Sequence, residues 1–250
     1  MSAVLASDDS ALLDEFCDHL WLEDGLAKNT LDAYRRDLRL FGEWLATRGG
    51  SLAAAAEADV TGYLAHRHGG AAAPRASTQA RLLSSLKRFY RFLLRERRIM
   101  ADPTAKLDPP KRTPRFPKSL SEADVEALLG APDVGTPRGQ RDRAMLETLY
   151  ATGLRVSELV RLKLVEVALD MGVVRVFGKG AKERLVPLGE EAAAWLARYL
   201  AEGRRTLISG GASDFVFVTA RGGPMTRQAF WLLIKRYAAR AIPGRSLSPH

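Results

Sequence analysis

Three short stretches carry side chains that could act on a phosphate. The first is Ala151-Thr152-Gly153-Leu154-Arg155-Val156-Ser157-Glu158-Leu159. Its glycine turn predicts that Arg155 starts a new helix, beside free backbone N–H groups and the positive end of a helix dipole. A guanidinium in that place can hold two phosphate oxygens at once. It can equally form a salt bridge, for which Glu158 is the natural partner. The second stretch is Gly178-Lys179-Gly180-Ala181-Lys182-Glu183-Arg184. Glycines on both sides of Lys179 let a hairpin tip bend sharply and approach a ligand. A mobile ammonium there could protonate a leaving oxygen, and a solvated turn is the other reading. The spacing GxxxxGK[ST] is absent, so this is not a phosphate-binding P-loop. The third stretch is Leu247-Ser248-Pro249-His250, where the sequence stops. An arginine at a helix start, a lysine on a hairpin and a histidine after a helix together describe a metal-free phosphoryl-transfer centre. Such a centre must neutralise a charged phosphorus with cationic donors. Carboxylate clusters for magnesium are not evident, and four histidines with one cysteine make a structural zinc improbable. No metal and no cofactor are expected.

These residues need elements to hold them. A capping-box-like Ser121-Glu122-Ala123-Asp124 predicts a helix over 121–129, and a second helix over 138–152 stops at Gly153. Val173–Phe177 and Glu183–Pro187 read as the strands of the Lys179 hairpin. Helices are predicted over 190–200 and 226–241, with a short strand at Phe215–Val218. The first part of the chain reads as all helix. After a helix near 10–22, Leu31, Tyr34, Leu38, Phe41 and Leu45 share one face of a helix capped by Asn29 or Thr30 and ended by Gly49-Gly50. A short helix follows over 57–66, then a long one over 77–98. On the long helix Leu82, Leu86, Phe89 and Leu93 lie opposite an arc of Arg81, Lys87, Arg88, Arg91, Arg95 and Arg98.

Charge distribution points to a polyanionic partner. The net charge is +9 over 250 residues. Residues 1–107 hold 15 Lys/Arg against 14 Asp/Glu, yet Arg75–Arg98 contains eight basic residues and one acid. Four prolines follow Asp108 in Asp108–Lys118, so that stretch reads as an extended basic linker. Concentrated basic faces of this kind suit nucleic acid. No apolar run is long enough to span a bilayer, the first residues lack a signal-peptide pattern, and a single cysteine fits a reducing compartment. A cytoplasmic protein is expected.

Taken together, Ala151–Leu159, Gly178–Leu188 and Leu247–His250 resemble the tyrosine recombinase (phage integrase-like) family. Asn29-Thr-Leu-Asp-Ala-Tyr-Arg-Arg-Asp-Leu38 resembles its DNA core-binding domain. Trp21-Leu-Glu23, Pro117-Lys-Ser-Leu-Ser-Glu122 and Met225-Thr-Arg-Gln228 carry a finer likeness to the members that resolve bacterial chromosome dimers. The resemblance implies a mainly α protein. A four-helix core-binding (SAM-like) domain spans 1–107, a Pro-rich basic linker spans 108–118, and a mixed α+β catalytic domain spans 119–250. It implies that Arg155 stabilises a pentacoordinate phosphate, that Lys179 is the general acid for the 5′ oxygen, and that His250 begins a His-x-x-Arg motif. The candidate DNA contacts are Arg35, Arg36, Arg39, Arg81, Lys87, Arg88 and Arg91. The implied partners are a duplex DNA recombination site, an XerC-like sister recombinase in a heterotetramer on DNA, and the FtsK DNA translocase. None of Tyr34, Tyr63, Tyr90, Tyr150, Tyr199 and Tyr237 stands in the family's nucleophile context. The 250 residues are therefore expected to be a C-terminally truncated enzyme that binds DNA without cleaving it. The alternatives are a non-catalytic DNA-binding protein of this fold and a mobile-element integrase.

Overall fold

A computed structural model of the chain describes residues 5–69, 76–110, 119–178, 183–209, 211–245 and 247. It divides into two compact units, Met1–Phe116 and Pro117–His250.

The described part of the first unit contains four helices: α1 (Ser7–Leu22), α2 (Lys28–Ala46), α3 (Glu57–His68) and α4 (Ala76–Arg95). The three-and-four spacing read from the sequence is the packed face. Leu38, Phe41 and Leu45 of α2 and Leu82, Leu86, Phe89 and Leu93 of α4 are buried with Phe16 of α1. Phe16 meets Phe89 edge-on at 5.3 Å between ring centroids, the arrangement that the aromatic quadrupole favours. Two polar side chains fix the α2–α3 loop. The buried carboxylate of Asp9 accepts from the Leu52 N–H at 3.0 Å, and the Tyr90 hydroxyl donates to the Leu52 carbonyl at 3.0 Å.

Two helix ends differ from the sequence reading. Helix α2 begins at Lys28 with Ala27 as N-cap, and neither Asn29 nor Thr30 caps it. It ends at Ala46 through a glycine closure, in which Gly49 has φ +74° and the Gly50 N–H donates to the Leu45 carbonyl. Helix α4 ends at Arg95 rather than Arg98, closed in the same way, but its left-handed residue is Arg97 at φ 54°. The Arg98 N–H donates back to the Leu93 carbonyl at 2.9 Å. No glycine or proline marks that stop, so periodicity alone overruns it.

The second unit has helices α5 (Glu122–Gly130), α6 (Pro137–Thr152) and α7 (Val156–Arg161). A 3₁₀ turn (Leu164–Glu166) then leads into strands β1 (Val167–Ala168), β2 (Val173–Phe177) and β3 (Glu183–Pro187). Helices α8 (Glu190–Ala201), α9 (Gly203–Ile208) and α10 (Arg227–Ala241) follow. The strands form one antiparallel sheet in the order β1-β2-β3, with Val176 opposite Arg184. Val174 and Val176 turn into a core shared with Met145, Leu159, Leu196, Phe217 and Phe230. The capping box at Ser121 and Asp124 forms as read, with both bonds at 3.1 Å. Helix α9 approaches α6 so closely that a Cβ on Gly203 would sit 2.6 Å from the end of the Gln140 side chain and 3.1 Å from the Pro137 carbonyl, so a larger residue would displace Gln140.

Phe215–Val218 is not a strand. It makes isolated bridges at Phe215 to Lys163 and at Val218 to Pro224. Its unbroken run of aromatic and β-branched residues, Phe-Val-Phe-Val, matches a buried strand, but its carbonyls are claimed by buried arginines. Arg204 donates to the carbonyls of Ser213, Phe215 and Val216, and Arg141 donates to that of Val218 at 3.0 Å. The Val218 N–H donates to the Tyr199 hydroxyl. Backbone groups satisfied by side chains need no sheet partner.

Candidate functional site

Arg155 stands where the sequence placed it. Gly153 takes φ +59° as C-cap of α6, and Arg155 is the N-cap of α7 in an extended conformation. Its side chain is 66% exposed, which leaves the guanidinium open to a ligand. The expected free N–H is not free: the Arg155 N–H donates to Glu158 Oε2 at 2.9 Å. With only six residues in α7, the dipole argument is also weak. The guanidinium itself is what the site offers.

Glu158 organises the corner. It is 11% exposed and holds two arginines as well as the N–H. Arg155 gives it one nitrogen, Nη1 to Oε1 at 3.0 Å. Arg184, from β3, gives it two, at 3.2 Å to Oε1 and 2.7 Å to Oε2. Burial pushes the Glu158 carboxyl up, but the bonds from Arg184 and Arg155 outweigh that and hold it below the ordinary glutamate value. The salt-bridge reading of Arg155 is therefore correct without excluding the phosphate reading. One nitrogen is tethered and the rest of the group faces solvent.

Lys179 and His250 lie outside the described residues. The strands that flank the Lys179 stretch are in place, Phe177 pairing with Glu183. Leu247, three residues before His250, packs against the core of the second unit.

The seven basic candidates of the first unit divide in three. Arg81 is committed to a buried acid: it forms a two-nitrogen pair with Asp37, itself only 6% exposed, and Ser85 joins the same carboxylate. The partner is a buried acid 44 positions earlier that the sequence reading had not paired with it. Arg35, Arg39 and Arg88 pair with Asp14, Glu43 and Asp24 at the surface. Exposed pairs of this kind are worth about 0–1 kcal/mol and yield readily to a phosphate. Arg36, Lys87 and Arg91 form no ion pair or hydrogen bond with any described residue. Arg91 lines a shallow cleft of about 170 Å³ with Arg88, Arg95 and His19.

The tyrosines are mostly structural. Tyr63, Tyr90, Tyr199 and Tyr237 are buried, and burial raises the phenol pKa of each. The Tyr237 phenol is pushed up to about 12, by burial first and then by the hydrogen bond it donates to Asp142 at 2.8 Å. Tyr34 packs against the first unit's core. Tyr150 is 63% exposed and lines a cleft with Arg143, its ion-pair partner Glu147, Glu190 and Glu191, a surrounding that is net acidic and disfavours a phosphate.

Comparison with known proteins gives this geometry a context. Residues 118–250 match the family model described as the phage integrase family, and residues 13–97 match the phage integrase N-terminal SAM-like domain. The chain is 56% identical to the tyrosine recombinase XerD of Ralstonia nicotianae over 247 residues, covering 98% of this chain and 79% of that protein. It is 55% identical to XerD of Pseudomonas aeruginosa, covering 96% and 80%.

The chain belongs to the phage integrase family.

Within the family it is an XerD-like tyrosine recombinase, a site-specific enzyme of DNA cleavage and rejoining. Solved structures share the fold. XerH bound to difH before cleavage superposes with a TM-score of 0.70 at 17% identity, covering 99% of this chain and 84% of that one. A lambda integrase tetramer on a Holliday junction gives 0.68 at 18% identity, covering 96% and 64%. The mainly α architecture, SAM-like domain followed by a catalytic domain, is that of the recombinase family. Among the described residues no group of three or more His, Cys, Asp or Glu could hold a metal, and no helix is long and apolar enough to cross a membrane.

Sequence reasoning did not assign a role to Arg184. It was visible as the last residue of the Gly178–Arg184 stretch, but nothing in the spacing says that a strand residue shares a carboxylate with an arginine 29 positions earlier. The buried pair of Arg141 and Asp142, 2.8 Å apart, and the role of Arg204 were also not legible. Both arginines read as surface charge when burial is unknown.

Proposed function

We propose that this recombinase grips the scissile phosphate of duplex DNA through Arg155 and lays the α2–α4 face of its first unit along the phosphate backbone. The observation that carries the reading is a guanidinium two-thirds exposed, tethered at one nitrogen and backed by a charged carboxylate. In the reaction a tyrosine oxygen attacks phosphorus and the bond to the 5′ oxygen breaks. That oxygen takes a proton from Lys179, and a 3′-phosphotyrosyl link remains. A 5′ hydroxyl of the partner strand then reverses the step, so the bond energy is kept in the covalent intermediate. Arg155 and His250 are assigned to the charge that develops on the non-bridging oxygens. We assign the nucleophile to none of the six tyrosines present.

Arg36, Lys87 and Arg91 are the first contacts with backbone phosphates, joined by Arg35, Arg39 and Arg88 once their surface acids are displaced. Arg81 contributes by holding α4 to α2. The identity to two XerD recombinases supports chromosome-dimer resolution in the cytoplasm over a mobile-element role. As partners we assign an XerC-like sister in a heterotetramer on DNA and the FtsK DNA translocase.

The test is duplex binding by the 250-residue chain over a range of salt, with a suicide DNA substrate in parallel. Affinity falls steeply with salt, because each neutralised phosphate releases counterions, and no covalent adduct forms. A flat salt response removes the electrostatic reading. A trapped adduct identifies one of the six tyrosines as the nucleophile.

A further inference from the structure

Arg155 and Arg184 do not hold Glu158 equally. Arg184 spans both carboxylate oxygens with two nitrogens, whereas Arg155 uses one nitrogen on one oxygen. A two-nitrogen pair fixes the plane of a carboxylate as well as its position. The orientation of Glu158 is thus set from β3, and Glu158 in turn sets where the exposed Arg155 guanidinium points. Arg184 is 38% exposed against 66% for Arg155, so the anchoring partner is the more sheltered of the two. The same strand residue lies opposite Val176 in the sheet, three positions before Lys179 in sequence. The carboxylate therefore connects the start of α7 to the hairpin strands that flank the Lys179 stretch.

We infer that Arg184 is a positioning residue: by fixing the Glu158 carboxylate from β3, it orients the Arg155 guanidinium for a DNA phosphate. The inference rests on the phosphate role given to Arg155 above. Arg184 supplies a second service. Among the described residues the charged groups facing Glu158 are Arg155, at its own helix start, and Arg184, from β3. With Arg184 present the carboxyl is held below the ordinary glutamate value. Without it, burial is opposed by Arg155 alone, and Glu158 protonates at higher pH. A neutral Glu158 no longer holds the guanidinium by charge.

The experiment measures affinity of the full chain for a short duplex DNA in two backgrounds, with thermal midpoints recorded beside each value. In the parent, Arg155→Ala weakens binding about tenfold, the scale of one charge-assisted hydrogen bond. In the Arg184→Gln background the same change costs less than about twofold, because Arg155 is already misdirected. Arg184→Gln also gives binding an acid limb, in which affinity falls as pH drops through the ordinary glutamate range while the parent is level. Arg184→Lys restores the level profile but only part of the affinity, since an ammonium cannot span both oxygens. Adding Glu158→Gln to Arg184→Gln abolishes the acid limb. Where Arg184→Gln lowers the thermal midpoint by itself, the pH profile and the lysine rescue still decide, because general loss of stability produces neither. An equal Arg155→Ala cost in both backgrounds overturns the positioning role and leaves the phosphate role intact. An Arg155→Ala change without effect in the parent overturns both.

Discussion

Two carboxylates, one in each unit, hold arginines to opposite ends. In the first unit Asp37 lies 6% exposed between α2 and α4 and takes both nitrogens of Arg81. In the second, Glu158 is nearly as sheltered, but it divides itself between Arg184, an N–H and a single nitrogen of Arg155. The first arrangement consumes its arginine to join two helices. The second uses one arginine to hold the acid so that another arginine is left open. An arginine's partner does not by itself say whether it is structural. The number of nitrogens spent and the exposure of the remainder do.

That contrast breaks most visibly at Asp37. Asp37→Ala should cost about 2 kcal/mol, less than the ~3–5 kcal/mol of a fully buried pair because Arg81 can turn to water. Chemical unfolding of the first unit measures it. Arg155→Ala should change stability by less than about 0.5 kcal/mol, as for an exposed pair, while weakening DNA binding. A stability loss equal to that at Asp37 would erase the distinction between the two sites.

Asp9, a buried acid of the first unit, differs from Glu158 in the sign of its pH dependence. Burial raises the Asp9 carboxyl above its ordinary value, although the Leu52 N–H pulls it down and Asp8 adds to the rise. A carboxyl raised in the folded state favours folding when protonated. Its unfavourable contribution therefore grows as pH climbs from the ordinary aspartate value through the folded one. Asp9→Asn keeps an oxygen for Leu52, so its thermal midpoint should rise relative to the parent across that window and hold level above it. Glu158, lowered by its arginines, contributes stability that is lost only as pH falls through its depressed value. The smallest effect is expected at Arg97, whose left-handed φ costs a non-glycine residue about 1 kcal/mol. Arg97→Gly should recover part of that, on the pattern of the Gly49 closure, without altering the Glu158 corner.

Much of this was legible in the sequence. Three-and-four spacing marks α2 and α4, cap and stop residues mark α5 and α6, and β2 and β3 were read with their observed limits, whereas α9 and β1 were not read. Gly153 marked the turn that delivers Arg155, and Glu158 three residues on was a visible partner for it. What escaped depends on contacts far apart in the chain. Phe215–Val218 is a run of aromatic and β-branched residues like a buried strand, and only Arg204 and Arg141, seen buried, explain why it is not one. Asp37 and Arg81 are 44 positions apart, so the basic arc on α4 could not reveal that one member was paired with a buried acid. Arg184 was hidden for the same reason. Pairing across elements is decided by packing, and a pattern of charges along one helix carries no record of it.

The grip on a DNA phosphate assigned to Arg155, which is tethered to Glu158, can be tested in solution. The most direct measurement is the salt dependence of duplex binding for the 250-residue chain and its Arg155→Ala variant. Loss of one phosphate contact should reduce the slope of log affinity against log salt by about 0.9. The loss should be similar on unrelated duplexes and come with an unchanged thermal midpoint. A variant with the parent's slope and affinity would contradict the claim.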